Sequence, residues 1–248
     1  MVIKKNDPSA PAAAGPAPRA GQGLARGRRA VRAEQKDARR EDILAAAARL
    51  FEHRALTAIS MAELASAAGV AKGTVYLYFA TKEAVFLALL ERDYQRCFDV
   101  VEAGLTAVAP GRLSASAFAD IAVAALTEQP YLPRLMAVLA TLLEQNIDLE
   151  TAWAFKRALQ RRVVGVGALL ESRLRYLPEG GGAAVLAFLH ALVVGLQHMA
   201  EPAPVLVGIL EHPDMAIFRV EFAPALRGAL QTHLLGLQAA AQADASAR

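Results

Sequence analysis

The 248 residues are 55% hydrophobic and only 6% aromatic, a balance that buries a sizeable core and favours helix over strand. A single cysteine, Cys97, excludes an internal disulfide, argues against a structural zinc site and suits a reducing cytoplasm. The net charge of +3 conceals an asymmetry: residues 1–40 hold ten basic side chains against three acidic ones (net +7), and the remainder holds 17 against 21 (net −4). A basic end on an acidic body points to a polyanionic partner.

Residues 1–25 are rich in Pro, Ala and Gly without an apolar period, which predicts a disordered tail. Pro8, Pro11, Pro16 and Pro18 stand where a signal peptide would carry its apolar run. Residues 26–40 read as a basic arm that turns helical near Glu34. Arg28, Arg29 and Arg32 are candidates to enter a minor groove or lie along phosphates, and Arg39 or Arg40 to reach a phosphate from the first helix. The expected divisions are a tail and arm at 1–38, a head at 39–85, a body at 86–241 and a disordered tail at 242–248.

From Arg40 onward Ile43, Ala47, Leu50 and Phe51 mark one apolar helical face, ending near Arg54–Leu56. Ser60 and Glu63 have capping-box spacing and open a second helix through Met61, Leu64, Ala65 and Ala68; Gly69 closes it. A third short helix follows over Lys72–Tyr78, and Thr81 caps a longer one through Val85, Leu89, Leu90, Tyr94 and Cys97. Three helices in about forty residues, with a tight glycine turn between the second and third, make a helix-turn-helix. Its third helix must fit a groove about 12 Å wide, apolar beneath and polar outside. Val75 and Phe79 supply the inner face. Lys72, Thr74, Tyr76 and Tyr78 offer donors outward, and Gly73 lets backbone approach DNA.

The remainder reads as helices near Ser114–Glu128, Arg134–Gln145, Asp148–Tyr176, Ala183–Met199 and from Ala216 or Phe222 to Ala240, with a short apolar segment at Val205–Leu210. The fold class expected is all-α, a three-helix DNA-binding head followed by a larger helical ligand-binding and dimerisation domain. No catalytic, nucleotide-binding or metal-binding constellation emerges, so neither a cofactor nor enzymatic activity is expected. Gly180–Gly182 lacks the Lys-Ser/Thr of a phosphate loop and reads as a flexible loop. Ser114 and Ser116 have no His–Asp pattern beside them, and His190 and His198 share a face about 12 Å apart, too far for one metal. The apolar run Ala183–Leu196 is shorter than a bilayer span and is expected to be a buried helix, with no membrane role.

The segment A-E-L-A-S-A-A-G-V-A-K-G-T-V-Y-L-Y-F-A-T-K-E-A-V-F (Ala62–Phe86) resembles the signature of the tetracycline-repressor (TetR) family, and I-L-A-A-A-A-R-L-F (Ile43–Phe51) resembles that family's first helix. The resemblance implies an all-helical homodimer that binds a palindromic double-stranded operator and releases it when a small molecule occupies the body. By position it makes Lys72–Tyr78 the recognition helix, Thr74 and Tyr76 the readers of bases or phosphates, Tyr78 and Lys82 phosphate holders, and Ser60 the cap near the DNA backbone. Two positions depart from the family pattern: Ala55 replaces a usual glycine, and Ala71 a usual Ser or Thr. The helices at Ala183–Met199 and Phe222–Leu237 are the expected dimer face. Phe118, Leu139, Leu142, Leu143, Trp153, Phe155 and Leu159 are the candidate pocket lining, with Glu144, Gln145 and Asn146 as polar contacts, and a lipophilic effector is implied. Two alternatives are an activator on the same scaffold and an interaction protein that keeps the fold without binding DNA; a helical-bundle enzyme is a third.

Overall fold

The computed structural model describes the backbone of residues 20–247 and the side chains of residues 34–247 apart from Pro204. The described residues contain ten α-helices and no strand. The chain divides into two compact units, residues 1–41 and residues 42–248.

In the first unit, helix α1 (Ala20–His53) already begins at Ala20, well before the expected start near Glu34. The proline cluster ends at Pro18, and the Ala-, Gln- and Arg-rich stretch after it consists largely of good helix formers. The side chains of Arg28, Arg29 and Arg32 lie outside the described residues. Arg39 is exposed and Arg40 half-buried, with its guanidinium 3.9 Å from Glu41.

In the second unit, α1 runs on to His53, and a 3-10 turn (Leu56–Ala58) leads into α2 (Met61–Ala67), α3 (Lys72–Tyr78) and α4 (Lys82–Thr106). Then come α5 (Ala115–Thr127), α6 (Leu132–Ala137), a π-turn (Leu139–Leu143), a 3-10 turn (Glu144–Asn146), α7 (Leu149–Arg173) and α8 (Gly181–Ala200). The chain ends with α9 (Pro204–Leu210), a 3-10 turn (Pro213–Phe218) and α10 (Phe222–Ser246). Four helices start on side-chain caps: Ser60, Thr81, Ser114 and Asp148 accept the backbone N–H of Glu63, Ala84, Ala117 and Thr151. Gly69 adopts φ +67° at the end of α2, the left-handed conformation that glycine takes without penalty. The caps and the closing glycine therefore stand where local spacing puts them.

The head and body do not have separate cores. One continuous cluster of buried residues runs from Ile43 in α1 to Leu234 in α10. Helix α4 is its spine, with every residue from Val85 to Leu90 buried.

Three elements differ from expectation. The helix expected over Arg134–Gln145 breaks after Ala137 into π and 3-10 turns. Val138 O accepts from both Leu142 N and Leu143 N, and this widened turn keeps Leu139 and Leu143 both buried. Gly180–Gly182 is no flexible loop: Gly180 takes φ +79°, and Gly181 and Gly182 open α8. There α7 and α8 cross backbone on backbone, so a Cβ on Gly182 would fall 2.0 Å from Gly167 O. Finally, α10 runs to Ser246, through the tail expected at 242–248, because Ala239–Ala245 contain only helix-compatible residues and no breaker.

Helix α8 is 20 residues long and apolar enough to cross a membrane by length and composition, longer than the run read from sequence, and only 22% of its apolar stretch is buried. It packs on α6, α7 and α10.

Candidate nucleic-acid interface and ligand cavity

Helix α3 is mounted by its inner side. Val75 is inaccessible and Phe79 is 6% exposed, both in the core. Lys72, Gly73, Tyr76 and Leu77 are exposed, and they form one outward face because they fall at i, i+1, i+4 and i+5. The Lys72 ammonium sits 6.0 Å from the Tyr76 ring centroid. Thr74 and Tyr78 are half-buried on the flanks, and Tyr78 packs against the core. The sequence reading missed Leu77, which is 82% exposed. An apolar side chain held out on this face suits contact with a thymine methyl; the signal was its place one residue beyond Tyr76 on the helical wheel. Ala71 caps α3 with no side-chain hydrogen bond.

A set of charged struts fixes α2 and the loop before it. Ser60 and Glu63 complete the capping box: the Ser60 N–H donates to Glu63 Oε2 at 2.9 Å and the Ser60 hydroxyl to the same oxygen at 2.8 Å. Arg54 Nη1 donates to Glu63 Oε1 at 2.7 Å, and Arg54 also donates to the carbonyl of Ala58. The Arg54 guanidinium and then the Ser60 donors hold the Glu63 carboxyl well down, at about 2. Arg49 Nη2 closes the C-terminal end of α2 by donating to Ala67 O at 2.9 Å. Ala55 has an extended backbone, φ −68° and ψ 146°, so this loop needs no glycine.

Lys82 has a structural task. Its ammonium donates to Leu56 O at 3.0 Å, Ile59 O at 3.0 Å and Thr57 O at 3.4 Å. The first residue of α4 is thereby tied to the loop before α2. Ser60 keeps its hydroxyl within the capping box, at an exposed position.

An aromatic and ionic joint connects head to body. Phe51 of α1 meets Phe86 of α4 at 5.4 Å between ring centroids and Tyr131, just before α6, edge-on at 6.4 Å. The Arg134 guanidinium lies 4.5 Å from the Phe51 centroid; its Nε and Nη2 are buried without a hydrogen-bond partner among the described residues, so the ring face is the cation's main compensation. Tyr131 donates its hydroxyl to Asp93 Oδ2 at 2.7 Å. The Asp93 side chain is fully buried, with Arg92 Nε at 2.9 Å and Arg96 Nη1 at 3.4 Å. Burial and this bond push the Tyr131 hydroxyl up.

Behind the joint lies a cavity of about 300 Å³ between α4, α5, α6, α7 and α8, the low end of the usual range for small-molecule sites. Tyr94, Cys97, Phe98 and Val101 of α4 form one wall, and Lys156, Leu159 and Val163 of α7 another. Of the seven residues expected from sequence, Leu139 and Leu159 line it. Phe118, Leu143 and Phe155 are core residues, Leu142 packs half-buried beside the core, and Trp153 is 63% exposed. Trp153 and Phe155 are two positions apart on α7, about 200° around the helix, so they cannot both face inward. The spacings that mark the walls are 94-97-98-101 and 156-159-163.

The polar groups of the cavity are few. Tyr94 and His190 share a hydrogen bond of 3.2 Å between hydroxyl and Nδ1. Burial, and then the neighbouring Lys156 ammonium, hold the His190 imidazolium below its ordinary range. Burial pushes the Cys97 thiol up to about 12, which removes its thiolate reactivity at neutral pH. Glu144 pairs with Lys156 at 2.5 Å, whereas Gln145 and Asn146 turn back to the carbonyls of Ala140 and Leu142. His198 is exposed on the carbonyl of Val194.

The model of the bacterial regulatory proteins of the tetR family matches residues 43–89, and that of the tetracyclin repressor-like C-terminal domain matches residues 91–241. The HTH-type transcriptional regulator EthR of Mycobacterium tuberculosis is 49% identical over 69 residues, 28% of this chain and 32% of its own. The HTH-type transcriptional repressor NemR of Escherichia coli is 39% identical over 69 residues, 26% of this chain and 35% of its own. This chain thus spans about a third of the length of these curated relatives. Among solved structures, the fatty acid degradation regulator FadR from Bacillus halodurans is 18% identical, with a TM-score of 0.49 over 78% of this chain and 94% of its own. With the two family models covering the head and more than half of the chain in the body, this protein belongs to the TetR family of bacterial regulatory proteins.

Proposed function

We propose that the protein is a dimeric transcriptional repressor that binds a palindromic operator through α3 and releases it when a lipophilic small molecule fills the cavity. The observation that carries this reading is the dual role of α4. Its first turn is tied to the head through Lys82, and Tyr94, Cys97, Phe98 and Val101, from about 18 Å further along, wall the cavity. A ligand that shifts this wall moves a helix whose other end sets the pose of α3. Two recognition helices of a dimer must sit about 34–36 Å apart to enter successive major grooves, and a ligand favouring another spacing shifts the population off DNA.

A second copy is the natural cover for the open face of the body. Helix α8 leaves Phe188 and Met199 exposed, α10 leaves Leu235, and the α9 region leaves Val205, Leu206, Val207, Ile209, Ile217 and Phe218. So much exposed apolar surface is a cost that a two-fold interface removes. On DNA, Lys72, Gly73, Tyr76 and Leu77 face the groove, and Tyr78, Thr74 and Ser60 flank it. The reading places the protein in the cytoplasm and assigns it no catalytic step or cofactor.

The test is fluorescence anisotropy on the DNA upstream of the protein's own gene across a salt series. Two protomers on one inverted repeat, lost steeply with salt and weakened by Tyr76→Ala with Leu77→Ala, is the expected result. Absence of binding to any DNA at low salt sinks the reading.

A further inference from the structure

We propose that the effector is an amphipathic acid, with an apolar body in the cavity and a carboxylate at the mouth that takes Lys156 from Glu144. The proposal deepens the effector reading above and rests on it.

The lining is apolar over Val101, Leu126, Met136, Leu139, Val163 and Leu186, which sets the body of the ligand. Lys156 sets its head. Among the ionisable lining residues, burial raises Tyr94 and Cys97 and lowers His190, disfavouring their charged forms, so the charged side chain of the wall is Lys156, paired with Glu144 at 2.5 Å. The Lys156 side chain lines the cavity and is 53% exposed, so the residue stands where the cavity wall meets water. A ligand can therefore keep its charged end hydrated while its apolar end is buried, avoiding the desolvation of a fully enclosed ion.

The sign of the head follows from which partner faces the cavity. Lys156 lines it and Glu144 does not. A cationic amphiphile meets the ammonium first and is repelled. A neutral alcohol gains a weaker hydrogen bond than a carboxylate, whose bond to the ammonium is charge-assisted. An arriving carboxylate also repels Glu144, whose Oε1 is shielded from solvent and turned to Lys156 at 2.5 Å. Glu144 is free to yield because it opens a single 3-10 turn, Glu144–Asn146, directly after the π-turn. Leu139, the first residue of that π-turn, is itself on the cavity wall. Head and tail of the ligand thus act on one short irregular segment between α6 and α7.

The experiment is calorimetric titration of the full chain with octanoate, decanoate and dodecanoate, and with the alcohols and alkylamines of the same lengths, each below its micellar concentration. The expected result is a preference for carboxylate over alcohol of about tenfold. That ratio falls to about one in Lys156→Met and persists in Lys156→Arg, and carboxylate binding tightens in Glu144→Gln because the competitor is gone. Thermal melts of each variant confirm that it is folded. Equal binding of acid and alcohol, tighter binding of the amine, or a preference that survives Lys156→Met overturns the head-group assignment and leaves the apolar effector site standing. If no member of the series binds, the effector site falls with it.

Discussion

In the head, Ile43, Leu44, Leu64, Val75 and Val85 are inaccessible to solvent, and Phe51 and Ile59 are 1% exposed. In the body, Val205 is 78% exposed, Ile217 83% and Phe218 60%, and α8 leaves Phe188 and Met199 exposed. Apart from Tyr76 and Leu77 on the outer face of α3, the head's large apolar side chains are covered by its own helices and by α4. The body shares the head's core, encloses a cavity and leaves apolar side chains of α8, α9 and α10 exposed. On the proposed reading, the part that presents a face to DNA is tightly packed behind that face, whereas the part that accepts a ligand and a second copy leaves surface for both.

The strongest way to break this comparison is to open the tightly packed part. Phe51→Ala removes the ring that Phe86, Tyr131 and Arg134 all contact. It is expected to cost about 3–5 kcal/mol in denaturant unfolding, as for other buried Phe→Ala changes. Because one core serves head and body, the unfolding transition should stay single. A separate early transition for the head, followed by intact melting of the body, would show that the two are independent after all.

The next test charges the exposed apolar surface. Leu235→Glu places a carboxylate on the exposed face of α10, where the side chain is 49% accessible in the protomer. Folding of the protomer should be little affected, and the dissociation constant of the proposed dimer should rise at least about tenfold in sedimentation equilibrium, since burying an unpaired charge at an interface is costly. An unchanged dimer would move the interface elsewhere.

The same contrast decides what was legible in the sequence. Features set by near neighbours were read correctly: the Ser60–Glu63 box, Gly69, and the Thr81 and Asp148 caps each need only three or four residues of context. The inner face of α3 was legible for the same reason, because the Val75–Phe79 spacing is local. Features that depend on distant partners were not. Nothing near Lys82 announces that its acceptors are carbonyls 23 to 26 residues earlier. Of the leucines and aromatics expected in the pocket, Leu139 and Leu159 line it, but Phe118 and Phe155 are consumed by the core and Trp153 faces water, while Lys156, His190 and Tyr94 reach the cavity from three different helices. A flexible loop was expected at Gly180–Gly182 because the close approach of Gly167, the reason glycine stands there, belongs to another helix.

Lys82→Met sharpens the comparison at the joint. The change removes three hydrogen bonds from a partly exposed ammonium, with an expected loss of about 1–2 kcal/mol. Operator affinity should fall as well, because the loop before α2 loses its tie to α4. The informative quantity is the salt dependence. An ammonium occupied by three carbonyls contributes no counterion release, so the slope of affinity against salt should be unchanged. A slope lowered by about one per protomer would mean that Lys82 leaves the carbonyls for a phosphate on DNA.

The smallest effect concerns the exposed strut of the head and appears only in acid. Glu63 is held at about 2 against an ordinary value of 4.5, so the folded head binds this proton more weakly than the unfolded chain does. Its stabilising contribution is therefore complete above about pH 4.5 and lost as pH falls towards about 2. Glu63→Gln cannot titrate there. Between pH 6 and 2 the unfolding midpoint of the native protein should fall more steeply than that of the variant, the two converging at the acid end, where the native carboxyl is protonated too. The gap should also narrow in high salt, because the Arg54–Glu63 pair is open to solvent and screened. Parallel pH profiles would show that the capping box holds by geometry alone, and that Arg54 serves the head through its bond to the Ala58 carbonyl instead of through charge.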